Sequence, residues 1–178
     1  MKSKLSYFFN RRNWPVVLLA LLLFSFQPAT GRVLIRQQVV QAPFKMPAII
    51  VPDFTQCKKL SITDFGAEKG DKSKNTAAIA KAIDMANKAG GGIVVIPEGE
   101  WLTGAVHLKS NVDLHLEKGA VLLFSEDPKD YLPAVHSSWE GLECYNYSPL
   151  IYAYQCKNIA ITGEGEIKAK MDVWKQWA

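Results

Sequence analysis

GGGIVVIPEGEWLTGAVHLKSNVDLHLEKGAVLLFS, residues 90–125, is the stretch that decides the fold. Ile93 to Ile96 is a short apolar run stopped by Pro97, the pattern of a strand buried on both faces. Trp101 to Leu108 forms a second segment. Val112, Leu114 and Leu116 then alternate with Asp113, His115 and Glu117, so one set faces inward and the other outward. Ala120 to Phe124 is a further apolar run. Lys109-Ser110-Asn111 and Lys118-Gly119 separate these segments as turns. They read as corners between the faces of a coil, and two-residue hairpin turns of the Asn-Gly type are missing.

The pattern continues downstream. Leu150–Tyr154, Ile159–Thr162 and Glu166–Lys168 are short strand segments, with Gly163-Glu164-Gly165 as a corner. Upstream lies one helix, predicted over 76–89 with Asn75 as its N-cap. Ile79, Ala82, Ile83 and Ala86 share a face at helical spacing, and Gly90 stops the helix. Ser61 to Ala67 alternates like a short strand. Many short strands after one amphipathic helix predict an all-β, right-handed parallel β-helix, a solenoid. A stack of strands has an exposed lower edge that invites aggregation, and the helix stands where a cap for it belongs. No comparable cap is read at the other end, where residues 173–178 come just after a strand signal, so the natural protein is expected to be longer or its gene truncated on the C-terminal side.

The first 31 residues read differently. Lys2, Lys4, Arg11 and Arg12 precede the apolar run Val16–Phe26, and no acid occurs among them. A basic start and a run of that length read as a secretory signal, and the run is short of the roughly 20 residues a membrane span needs. Ala29-Thr30-Gly31 offers small residues for cleavage, placing the mature start near Arg32. The expected organisation is a signal at 1–31, an extended lead-in at 32–59 and the solenoid at 60–178. A secreted or periplasmic protein follows, with no stable membrane partner once the signal is removed. The four basic groups of the signal account for the whole net charge of +4. The mature chain is therefore neutral and carries no footprint for nucleic acid. Cys57, Cys144 and Cys156 show no metal-ligand spacing. Cys144 and Cys156 could pair, or all three could be isolated thiols.

Residues 62–165 resemble family 28 glycoside hydrolases, the polygalacturonases and their relatives. ITDFGA (62–67), Asn75 to Ile79 and the 90–125 stretch carry the part of the match shared with other pectin-lyase-like β-helices. DPKDYLPAVHSSWEGLECYNYSPLIYAYQCKNIAITGEGEI (127–167) carries the more specific part. The usual Asp-Gly after the closing Ile is replaced by Lys168-Ala169. The resemblance implies hydrolysis of α-1,4 galacturonic-acid linkages in pectin, with inversion, no metal and no cofactor. In such chemistry one carboxylic acid protonates the leaving oxygen, and a second carboxylate activates water about 6.5–9.5 Å away. It also implies a pectic polysaccharide or oligogalacturonide as partner and a monomeric full-length enzyme. No catalytic residue is carried over: in the family the catalytic aspartates stand in an Asn-x-Asp motif and an Asp-Asp pair, assisted by a histidine between glycines and an Arg-x-Lys, and none of these motifs is expected in this chain. The 178-residue chain itself is expected to be inactive. A lyase or epimerase on the same scaffold, and a non-catalytic polysaccharide-binding module, are the alternatives.

The candidate substrate-binding residues are His136, Trp139, Glu140, Tyr145 and Tyr147, in a loop over 131–149. Their aromatic rings suit sugar faces and Glu140 suits hydroxyls; packing of the loop is the competing role. Asp113, His115 and Glu117 are expected to form a solvated strand face.

Overall fold

In the computed structural model, residues 35–170 are described, together with Asp172 and Lys175. The signal reading for 1–31, the cut near Arg32 and most of the tail after Lys170 lie outside the described residues. The described residues belong to one compact unit. No helix among the described residues is long and apolar enough to cross a membrane.

The chain opens with β1 (Arg36–Val40) and β2 (Ile49–Asp53), paired antiparallel. The lead-in, expected to be merely extended, is thus a hairpin. Next come β3 (Lys59–Ser61), a 3-10 turn at Ile62–Phe65, and α1 (Lys72–Lys88). The strand predicted over 61–67 stops at Ser61, because Gly66 at φ 90° closes the 3-10 turn by donating to Thr63 O. Then follow β4 (Gly92–Ile96), β5 (Gly99–Thr103), β6 (Val106–His107), β7 (Val112–Leu116) and β8 (Ala120–Phe124). After a long excursion come β11 (Ile151–Tyr152), β12 (Ile159–Gly163) and β13 (Glu166–Ala169). The excursion carries β9 (Val135–Trp139) and β10 (Leu142–Asn146), an antiparallel hairpin.

Three parallel sheets take up the remaining strands. The first is ordered β12-β7-β4-β3, the second β13-β8-β5 and the third β11-β6. The chain visits them in rotation: β4, β5, β6, then β7, β8, β11, then β12, β13. Each return lands in register on the strand before it, with Val94 beside Leu114 and Leu114 beside Ile161. Trp101, Leu122 and Ile167 form the matching column in the second sheet. Val94, Leu114 and Leu122 are fully buried in one core, each such side chain contributing about 1.5–3 kcal/mol. At the β12–β13 edge the same columns open, leaving Ile161 48% and Ile167 44% exposed. Lys168-Ala169, the departure from the family pattern, continues β13 without a break.

The helix packs its apolar stripe on that core, with Ala78, Ile79, Ala82, Ile83 and Ala86 buried. It starts earlier than the sequence suggests, and its N-cap is Asp71, whose carboxylate accepts from Lys74 N at 3.0 Å. Asn75, the predicted cap, lies inside the helix and is fully buried. Its Oδ1 accepts from Glu68 N at 2.9 Å, and its Nδ2 donates to Leu102 O at 3.1 Å. Thr76 Oγ1 accepts from Gly104 N at 2.9 Å. The two side chains satisfy backbone groups along the outer edge of β5, which would otherwise be left open.

Candidate functional site

The third sheet has the narrowest strands and the most chemistry outside them. Val106 points into the core, so His107, one residue on, faces outward. Tyr152 sits above it in register, its ring tilted by 59° with centroids 5.3 Å apart. Tyr154 follows at the two-residue period, its ring 8° from parallel with Tyr152 at 6.3 Å. The β9–β10 hairpin adds His136, which contacts Tyr154 at 4.9 Å and Tyr145 edge-on at 5.8 Å. Tyr152 Oη donates to the carbonyl of His136 at 2.8 Å, tying hairpin to strand. The five rings make one aromatic band. Desolvation, then Tyr154 and Tyr145, push the Tyr152 hydroxyl pKa upward, so it stays a donor.

The base of the excursion is well anchored. Asp127 caps a 3-10 turn at Pro128–Tyr131. Tyr131 is buried, its hydroxyl donating to Ser125 O at 2.5 Å, and burial pushes its pKa up to about 12. Asp130 pairs with Lys72 of α1 at 2.6 Å. Ser148 closes the loop, accepting from His107 Nε2 at 3.0 Å while donating to Pro149 O. That accounting places the ring hydrogen of His107 on Nε2 and leaves Nδ1 as an acceptor. Burial lowers the His107 pKa, which favours this neutral form.

Of the residues singled out in the sequence, His136 and Tyr145 are brought together directly across the hairpin. Trp139 is 69% exposed near the tip and, three residues from His136, lies on the other hairpin face. Glu140 occupies the turn itself, with Gly141, both at positive φ. This is a two-residue hairpin turn of the kind the sequence was expected to lack, formed by Glu-Gly instead of Asn-Gly. Tyr147 follows β10, its backbone N–H donating to Asn146 Oδ1. His107, Tyr152 and Tyr154 escaped the sequence reading. The alternation Ile151-Tyr152-Ala153-Tyr154 was the signal that could have found the two tyrosines.

The outer face of the first sheet corrects a second expectation. Asp113 is only 4% exposed and His115 is half-buried; Glu117 alone is solvated. Phe54, packed on Ile93 and Val95 with Ile35, Cys57 and Ala160 around them, covers part of that face. Asn111-Val112-Asp113 corrects a third expectation, since it spells the Asn-x-Asp triplet expected to be missing. Here Asn111 turns a corner at φ 65° and bonds Asn158, while Asp113 lies under the lead-in, so the triplet serves the coil and stands apart from the aromatic band. None of the three cysteines is in a disulfide. Cys57 packs in the apolar cluster, and Cys156 Sγ contacts Leu108 O at 3.4 Å.

Burial raises the Asp113 pKa despite its bonds from Thr162. A carboxyl whose folded pKa is raised is favoured when protonated. Stability is therefore highest below its ordinary value near 4 and falls as pH rises to the folded value. Asp113→Asn should flatten that slope in urea titrations run from pH 3 to 7. An unchanged slope would show that other groups set it.

Parallel sheets visited in rotation, with one helix packed at their start, define a pectate-lyase-like scaffold. Residues 60–115 match a family model described as rhamnogalacturonase A/epimerase, pectate lyase-like. A probable polygalacturonase of Vitis vinifera is 32% identical over 124 residues, covering 65% of this chain and 25% of that protein. The hyperthermoactive exopolygalacturonase of Thermotoga maritima superimposes with a TM-score of 0.58 at 42% identity, over 66% of this chain and 25% of its own. The family 28 exopolygalacturonase of Yersinia enterocolitica gives 0.57 at 36% identity, over 67% and 22%. The chain spans about a quarter of the length of these proteins. The resemblance to family 28 glycoside hydrolases holds, over a part of the enzymes' length.

Proposed function

We propose that this chain forms the first coils of a right-handed parallel β-helix hydrolase that cleaves α-1,4 galacturonic-acid linkages of pectin. In this reading α1 caps the lower edge, and further coils stack on the open β12–β13 edge. The two aspartic acids that perform the inverting hydrolysis come from outside these 178 residues. The chain is exported, and its own contribution is to hold the polymer. The aromatic band carries this reading. Tyr152, Tyr154, Tyr145, His136 and His107 line up over the third sheet and its hairpin. Rings with polar tips suit the apolar faces and hydroxyls of a sugar chain.

Binding of oligogalacturonate to the purified chain, followed by tyrosine fluorescence or NMR, tests it. The double variant Tyr152→Ala/Tyr154→Ala should weaken binding about tenfold or more, a loss of about 1.4 kcal/mol. Equal binding by the double variant would remove the band from the reading. Incubation with polygalacturonate should release no reducing ends. Formation of an unsaturated, ultraviolet-absorbing product would instead point to a lyase on the same scaffold.

A further inference from the structure

The groove over the first sheet lies on a different sheet from the aromatic band. The β1–β2 hairpin forms its lip, and it encloses about 410 Å³, within the range of small-molecule sites. Its floor is apolar, with Phe54, Ile93 and Ala160 among the lining residues. Its polar wall is a chain of three side chains. Thr162 Oγ1 lies 3.0 and 2.9 Å from the two carboxylate oxygens of Asp113. It also lies 2.7 Å from His115 Nδ1. A threonine has one hydroxyl hydrogen. With Asp113 ionised, that hydrogen goes to the carboxylate, so Thr162 accepts from His115 Nδ1–H.

This accounting fixes what the groove offers. The neutral His115 ring keeps Nε2 as an acceptor. Asp113 accepts one hydrogen bond, from Thr162, and a carboxylate has about four acceptor sites. Asp53 brings a second carboxylate to the same groove. Acceptors of this kind call for a ligand rich in hydroxyl donors, and charge-assisted bonds from hydroxyls to carboxylates are the strong ones. The apolar floor suits the C–H face of a ring. Two carboxylates disfavour an anion. Lys59 also lines the groove, two strands from Asp113 in the sheet, about 10 Å from backbone to backbone, and Arg36 faces Asp53 across the lead-in hairpin.

We propose that this groove is a second saccharide site, taking a neutral pyranose unit in preference to a uronate. The polymer context rests on the function proposed above; the acceptor pattern does not.

D-galactose and D-galacturonate differ only at C6, so they test the selectivity directly. Both would be titrated into the isotope-labelled full chain by NMR. Galactose should shift the His115, Thr162 and Phe54 signals at least fivefold more tightly than galacturonate, and Tyr152→Ala should leave those shifts unchanged. His115→Ala should abolish them. Asp113→Asn, which keeps an acceptor for Thr162, should bring the two affinities close together. The proposal is overturned if galactose leaves these signals unmoved at tens of millimolar, or if galacturonate binds the groove as well as galactose does. Signals of Tyr152 and Tyr154 report the aromatic band separately, so either site can fail without the other.

Discussion

Gly163→Ala is expected to detach the last coil, costing β12 and β13 about 3 kcal/mol or more. Gly163 has φ 104°, and a Cβ built on it would sit 1.9 Å from Leu116 O. That carbonyl cannot step aside cheaply, because it accepts from Glu164 N at 3.0 Å and Gly165 N at 3.2 Å. Moving it forfeits both bonds, each contributing about 0.5–1.5 kcal/mol, on top of about 1–3 kcal/mol of backbone strain. Gly66 is the internal control. Its φ of 90° is similar, but nothing lies within 4 Å of its missing Cβ. Gly66→Ala should therefore cost strain alone, on the order of 1 kcal/mol. Amide exchange in β12, read beside urea unfolding, separates the two, since a local opening shows in exchange first. Equal effects at the two glycines would mean the corner at Leu116 is softer than its geometry indicates.

The second large effect falls on Asn75. Asn75→Leu keeps the volume and removes both part-buried hydrogen bonds, leaving Glu68 N and Leu102 O without the partners seen here. A loss of about 1–3 kcal/mol follows, since each bond contributes about 0.5–1.5 kcal/mol and both lie only partly buried. Asn75→Asp carries its own signature. At neutral pH it sets a carboxylate oxygen against Leu102 O in a buried site, and it should be at least as damaging as leucine. Protonated, the same carboxyl has an O–H that can replace the amide donor. Its folded pKa would thus be raised, and stability should recover as pH falls through that value. Urea unfolding of both variants at pH 7 and pH 4 checks this. If Asn75→Leu costs under about 0.5 kcal/mol, the link between α1 and the β5 edge contributes little.

Gly163 and Asn75 differ in how they read from sequence. Gly163-Glu164-Gly165 stands out as a corner between two alternating runs, and the structure wraps that corner around one carbonyl. Asn75 stands out for another reason: an asparagine before an apolar-periodic stretch resembles an N-cap. Asp71 takes that role four residues earlier, and the amide serves a strand 27 residues away. Local capping rules see only neighbours along the chain. They cannot register that a fully buried amide is needed by the edge of a sheet.

The same division runs through the candidate sites. His136 and Tyr145 were found as aromatic residues in a loop, and their pairing follows from a Glu140-Gly141 turn that fixes the hairpin register. Trp139 and Glu140 stand beside them in the same loop of the sequence, yet alternation along β9 separates Trp139 from His136. Tyr152 and Tyr154 read in the sequence only as residues of a strand. Their importance depends on the hairpin reaching back to them, with Tyr152 Oη bonded to His136 O.

By its own pattern the chain determined its coils: the helical stripe of α1, the inward alternation of β7 and the glycine corners. These are set by contacts within one turn of helix or between neighbouring strands, which periodicity records. Only the tertiary structure decided which outward side chains meet water. Phe54, just past the lead-in hairpin, packs on Ile93 and Val95, the hairpin borders the groove beside Asp113, and the β9–β10 hairpin converts two strand tyrosines into part of a band. Burial by a distant segment leaves no mark on the period of the residues it covers, which is why Asp113 looked solvated and is not.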